Sequence, residues 1–132
     1  MKISLTARNA ILAVGYIAKN QKELSVNSQR IAKENDISLE TLLKILQKLV
    51  RANVLVSKRG PGGGYWLGRS AKEITIVEII EVIEGPMVGS LNLANRANGD
   101  KFAVKADLLI KKGLEKSRAA LAKAKLADIM GK

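Results

Sequence analysis

SLETLLKILQKLVRANVLVSKRGPGGGYWLGR, residues 38–69, changes its hydrophobic period part-way along. In the first half Leu39, Leu42, Ile45, Leu46 and Leu49 recur at helical spacing, which predicts an amphipathic helix with Ser38 as its N-cap. Glu40, Thr41, Lys44, Gln47, Lys48 and Arg51 project from the other side, a polar and mostly basic face. From Val54 to Ser57 the composition turns β-branched, and Tyr65-Trp66-Leu67 reads as a returning strand after Gly60-Pro61-Gly62-Gly63-Gly64. A short hairpin with Lys58 and Arg59 beside a glycine-rich tip therefore follows the helix directly. Two other readings of the glycines fail. A phosphate-binding loop needs Gly-Lys-Ser/Thr at its end, and a dinucleotide-binding GxGxxG begun at Gly60 meets Tyr65 where its third glycine belongs. Alone, the segment would also suit a plain tight turn.

Toward the N-terminus, Ala7, Ala10, Ile11, Val14, Ile17 and Ala18 predict a first helix over residues 5–20. Asn27 or Ser28 can cap a short second helix carrying Ile31 and Ala32, which stops at Asn35-Asp36. Two helices joined by a few residues, the second with a polar outer face, meet the requirement for a helix-turn-helix, and the hairpin supplies a wing. Toward the C-terminus, Thr75 and Glu78 form a capping-box pattern for a helix carrying Ile76, Ile79, Ile80 and Ile83, closed by Gly85-Pro86. Residues 86–103 then read as a loop, long enough to suggest a functional role. Val104 to Met130, rich in Ala, Leu and Lys, is expected to form one long helix with a sparse seam of Ile110, Leu114 and Leu121. So small a winged domain cannot bury such a helix alone, so it is expected to pair with a second copy; a solvated basic helix lying on its own domain is the alternative. The expected architecture is mainly α (α+β): a winged helix-turn-helix domain over 1–85, a connecting loop over 86–103 and a long dimerisation helix over 104–132.

Composition narrows the function. The 132 residues hold 23 Lys+Arg against 12 Asp+Glu, a formal charge of +11, which calls for a polyanionic partner. The chain has neither cysteine nor histidine. That removes disulfides, thiolate nucleophiles, imidazole bases and zinc sites built from those residues. The acidic residues form no obvious pair, so an enzyme is not expected and no cofactor is assigned. No apolar run is long enough to span a membrane and no leader core follows Met1, so a cytoplasmic protein is expected.

The chain resembles the Rrf-type winged helix-turn-helix transcriptional regulators, the IscR/NsrR/CymR-like group. The resemblance rests on Met1-Lys2-Ile3-Ser4 with Arg8 and Ala10, Ile31-Ala32, Ile37-Ser38-Leu39, Leu49, the wing motif Arg59-Gly60-Pro61-Gly62-Gly63-Gly64-Tyr65 with Leu67-Gly68, and Ile74 through Glu84-Gly85. It implies that the third helix enters the major groove, that the wing reaches the neighbouring minor groove, and that the long C-terminal helix crosses its partner in a homodimer. Cluster-binding relatives carry three cysteines in the loop before the long helix, because thiolates are the usual ligands of iron–sulfur clusters. The matching residues 86–103 here have none, and Arg8 and Lys33 stand where some relatives place a carboxylate or histidine ligand. The resemblance therefore excludes a cluster and thiol-based sensing from the expectation.

On this frame each candidate DNA-binding residue has a physical role. Ser38, Glu40, Thr41 and Lys44 lie on the early turns of the recognition helix, where lysine suits guanine O6 and N7 and glutamate accepts from cytosine N4. Lys48, Arg51 and Lys58 suit phosphates. Arg59 is the candidate for minor-groove insertion, and Gly60 lets backbone approach the phosphates closely. Thr41, Leu43 and Lys44 stand where many relatives have Tyr, Glu and Gln, so no operator sequence carries over. The expected function is sequence-specific binding of double-stranded DNA by a homodimeric repressor without an iron–sulfur cluster. The competing expectations are a nonspecific basic architectural DNA- or RNA-binding protein, suggested by Lys111, Lys112, Lys116, Lys123 and Lys125, and a winged helix serving only protein interaction. A small-molecule or protein effector is left open; Ser90, Asn92, Asn95, Arg96 and Asn98 offer polar groups that equally suit a solvated loop.

Overall fold

A computed structural model describes residues 2–23, 26–89, 93–96 and 98–130. Three helices come first: α1 (Leu5–Lys19), α2 (Ser28–Glu34) and α3 (Leu39–Arg51). Each begins at a side-chain cap. Ser4 accepts the Ala7 N–H at 3.1 Å, Asn27 accepts that of Arg30 at 2.9 Å, and Ser38 accepts that of Thr41 at 3.3 Å. The ends of α2 and α3 are also alike. Asp36 (φ 53°) and Asn53 (φ 61°) take the left-handed conformation just past each helix, a position usually held by glycine. The next residue's N–H then reaches back to close the helix, Ile37 to Ala32 O and Val54 to Leu49 O, both at 3.0 Å. Ile37 and Val54 drop into the core and fix the directions in which the chain enters α3 and the hairpin.

The hairpin pairs β1 (Leu55–Lys58) with β2 (Gly64–Leu67) antiparallel, Leu55 opposite Leu67 and Lys58 opposite Gly64. Gly60-Pro61-Gly62-Gly63 closes it as a turn in which the Gly63 N–H donates to Gly60 O at 2.8 Å. With proline second and Gly62 at φ +75°, it has type II character. The outer edge of β2 is also paired: Tyr65 N–H donates to Val26 O (2.9 Å) and Leu67 N–H to Gln21 Oε1 (3.0 Å). A Cβ on Gly64 would lie 2.7 Å from Val26 O, so only glycine admits this approach. The wing is thereby held against the segment that leads into α2.

Beyond the wing come α4 (Ile76–Glu84), α5 (Leu93–Arg96), α6 (Lys101–Ala122) and α7 (Leu126–Met130). Thr75 caps α4 by accepting the Glu78 N–H at 3.1 Å, while the Glu78 carboxylate pairs with Arg69 at the base of the wing. The core is aliphatic, with Ile17, Ile31, Leu42, Ile45, Leu46, Leu49, Leu55, Ile74 and Ile79 fully buried.

The C-terminal third departs from the sequence expectation. The helix starts at Lys101, because Asp100 accepts the N–H groups of Phe102 and Ala103 at 3.0 and 3.3 Å, and α5 already interrupts the span expected as loop. It ends at Ala122 rather than continuing to Met130. Lys125 bridges to Thr75, the Leu126 N–H donates to Ile74 O (2.7 Å) and the Ala127 N–H to Ala71 O (2.9 Å). These bonds bend the chain and set Leu126, 4% exposed, into the winged-helix core. Residues 123–130 thus belong to the body of the domain and not to a projecting helix.

Candidate nucleic-acid interface

Four buried residues, Leu42, Ile45, Leu46 and Leu49, anchor α3 to the core and so determine what it turns outward. Glu40, Thr41, Lys44, Gln47, Lys48 and Arg51 are all exposed. Leu39 was expected on the buried side, but it is 38% exposed, since it stands at the first helical position before the core closes over the helix. Leu43, one turn later, is 44% exposed.

Ser38 is less available to a ligand than its position suggests. Its Oγ caps the helix and donates its proton to Thr41 Oγ1 at 2.8 Å, leaving the Thr41 hydroxyl hydrogen as the donor free to turn outward. Lys58, Arg59 and Gly60 are exposed on the wing. Between α3 and the wing runs an open groove of about 480 Å³. Leu43, Val50 and Tyr65 give it an apolar lining, and Lys44, Arg51, Lys58 and Arg59 bring cations to it. Among the described residues no ion pair engages those four cations; the pairs formed are Arg30–Glu23, Arg69–Glu78 and Arg118–Glu81.

Of the residues singled out in the sequence, the fold brings Lys44, Arg51, Lys58 and Arg59 to one groove. Ser38, Glu40, Thr41, Lys48 and Gly60 do not line it. Thr41 and Lys48, seven residues apart, share one flank of α3 outside that groove. Sequence reasoning missed Ser57 and Tyr65 as groove residues, and the strand alternation that puts Ser57 opposite Tyr65 was the available signal. Ser90 and Asn92 lie outside the described residues. Asn95 and Asn98 are exposed.

The arrangement is a helix with an outward basic face and a basic hairpin set across a groove from it. The family described as Rrf2, an iron-dependent transcriptional regulator, matches residues 3–132. The chain belongs to the Rrf2 family. An HTH-type transcriptional regulator IscR of Cereibacter sphaeroides is similar at 36% identity over 111 residues, 83% of this chain and 71% of that relative. In other curated relatives the matched stretch spans 62% or 51% of their length. Among solved structures, CymR of B. subtilis, described as its global cysteine regulator, superposes with a TM-score of 0.82 at 29% identity, over 98% of this chain and 96% of that one. The oxidized form of Staphylococcus aureus CymR superposes at 0.77 with 27% identity, over 100% and 98%.

The iron in the Rrf2 description raises the question of ligands. This Rrf2 chain contains no cysteine and no histidine, and its described residues hold no cluster of three carboxylates that could take a metal ion. Arg8 and Lys33 are exposed cations. Asp100, an acidic residue between Pro86 and Ala103, is occupied as the cap of α6. The donor set does not fit an iron–sulfur cluster. As for membranes, no described helix is long and apolar enough to cross one.

Proposed function

We propose that this Rrf2-family chain is a sequence-specific repressor that binds double-stranded DNA as a homodimer. The groove between α3 and the wing carries the reading. A winged helix that sets its recognition helix in the major groove and its wing in the adjacent minor groove must straddle the sugar–phosphate strand between them. A groove that brings Arg51 and Lys58 together with the apolar Val50 and Tyr65 suits that strand, phosphates meeting the cations and deoxyriboses the apolar side chains, while Lys44 on α3 and Arg59 on the wing serve the two DNA grooves beside it. Glu40, Thr41 and Lys44 then face base edges, Lys48 and Lys58 meet phosphates, Gly60 lets the turn approach the backbone, and Arg59 enters the minor groove. Ser38 acts through Thr41, whose hydroxyl it orients.

The homodimer is supported by α6. Of its 22 residues only Ala103 is buried, while Phe102 and Leu109, two turns apart on one face, are 80% and 69% exposed. A second copy crossing there would cover them and relate two recognition helices by a two-fold axis. Repression follows from occupancy of a promoter by such a dimer.

Selection of bound duplexes from a random pool at moderate salt tests the reading. A two-fold symmetric motif with half-sites about one helical turn apart is the expected outcome. The charge of +11 favours a second reading, nonspecific architectural binding, and enrichment without a motif would establish it in place of the first. Affinity for the selected duplex should fall with salt at a log–log slope of about −0.9 per phosphate neutralised, measured by titration at several salt concentrations.

A further inference from the structure

We propose that Leu43 is a specificity-determining residue that reads the C5-methyl group of a thymine in each half-site; this rests on the DNA-binding reading above. Leu43 is the fifth residue of α3, within the early part of a recognition helix that reaches base edges. Its four apolar neighbours Leu42, Ile45, Leu46 and Leu49 fill the core, yet Leu43 itself remains exposed beside Lys44. It lines the groove on the flank of α3 that faces the wing, the same groove that Lys44, Arg51, Lys58 and Arg59 line. Leu39, one turn earlier on the same flank, is also exposed and extends the apolar strip toward the start of the helix.

An aliphatic side chain in that place cannot exchange hydrogen bonds with a base edge. Against guanine O6 and N7 or the cytosine amino group it would strip water from polar atoms and return nothing. Thymine alone among the four bases shows an apolar group in the major groove, its methyl, and contact with it removes apolar surface on both sides from water. The four cations that line the groove with Leu43 favour a polyanion, not an apolar protein face, as the molecule that covers it.

The test uses the whole chain and the duplex obtained by selection. Each thymine of the half-site is replaced in turn by deoxyuridine, which removes the methyl and keeps the O4 acceptor. At one position, affinity is expected to fall about two- to five-fold per half-site, the effect of one methyl leaving a buried contact. Leu43→Ala should bind the parent duplex more weakly by a similar factor and no longer distinguish thymine from uracil there, whereas Leu43→Met should keep the distinction. Wild-type protein that tolerates uracil at every position, or Leu43→Ala that still discriminates at the sensitive one, overturns the assignment with DNA binding itself intact. Selection that yields no motif overturns the DNA reading and this assignment together.

Discussion

Arg59 sits at the point where β1 ends and the Gly60-Pro61-Gly62-Gly63 turn begins, exposed and outside any ion pair among the described residues. A guanidinium so placed is at liberty to enter a narrow minor groove, where the negative potential is deepest. Arg59→Ala is expected to weaken binding to the selected duplex by about 1 to 3 kcal/mol, read by titration, with unchanged thermal unfolding. Equal affinity of variant and wild type would remove the wing from recognition. The wing was legible in the sequence because its chemistry is local: proline followed by glycine specifies the turn, and the basic pair precedes it. Leu39 and Leu43 were less legible. Both are four-carbon apolar side chains on one helix, and helical spacing alone cannot say where along its length the core begins to cover it.

At the scale of elements, α4 ties the parts together. Glu78 and Glu81 lie one turn apart on it. Glu78 pairs with Arg69, whose Nε also donates to Asn53 O at 3.3 Å, so this carboxylate holds the base of the wing to the end of α3. Glu81 accepts from Arg118 of α6 in a bidentate pair at 2.8 and 3.1 Å and from the Met87 N–H at 2.8 Å. The Arg118 guanidinium, helped by the Met87 N–H and opposed by partial burial, holds the Glu81 carboxyl below the ordinary glutamate range. A carboxyl with a depressed folded value contributes stability above its unfolded value, and that contribution is lost as pH falls through the folded value. Glu81→Gln should therefore lower the melting temperature at neutral pH, and the difference from wild type should shrink toward zero in acid. A constant difference across that titration would show that packing, not charge, accounts for the effect. Thr75 and Glu78 made α4 legible from sequence. Their pattern alone did not reveal that Glu78 serves the wing instead of completing its capping box, because Arg69 is its partner only in three dimensions.

For the whole molecule, the departure from expectation lies at the return of the chain after α6. Residues 104–130 have helix-forming composition throughout, and nothing local marks a break at Lys123-Ala124-Lys125. The break is imposed by backbone bonds to Ile74, Ile76 and Ala71, distant partners that no local pattern reveals. Leu126 is the side chain that this return inserts into the core. Leu126→Ala should destabilise the protein by about 2 to 5 kcal/mol in urea unfolding, as for other buried leucines, although it lies far from the groove. A change within about 0.5 kcal/mol, the range of ordinary surface substitutions, would show that the C-terminal segment only rests on the domain.

The same return sets an order of events during synthesis. Ribosomes extend a chain at about 5 to 20 residues per second, so the recognition helix and wing emerge while the residue that completes their core is still unmade. The nascent chain therefore carries its basic face before it has a finished interior. Translation that stops short of Leu126 would leave a polycation with an open core, a substrate for chaperones and proteases instead of a shortened regulator.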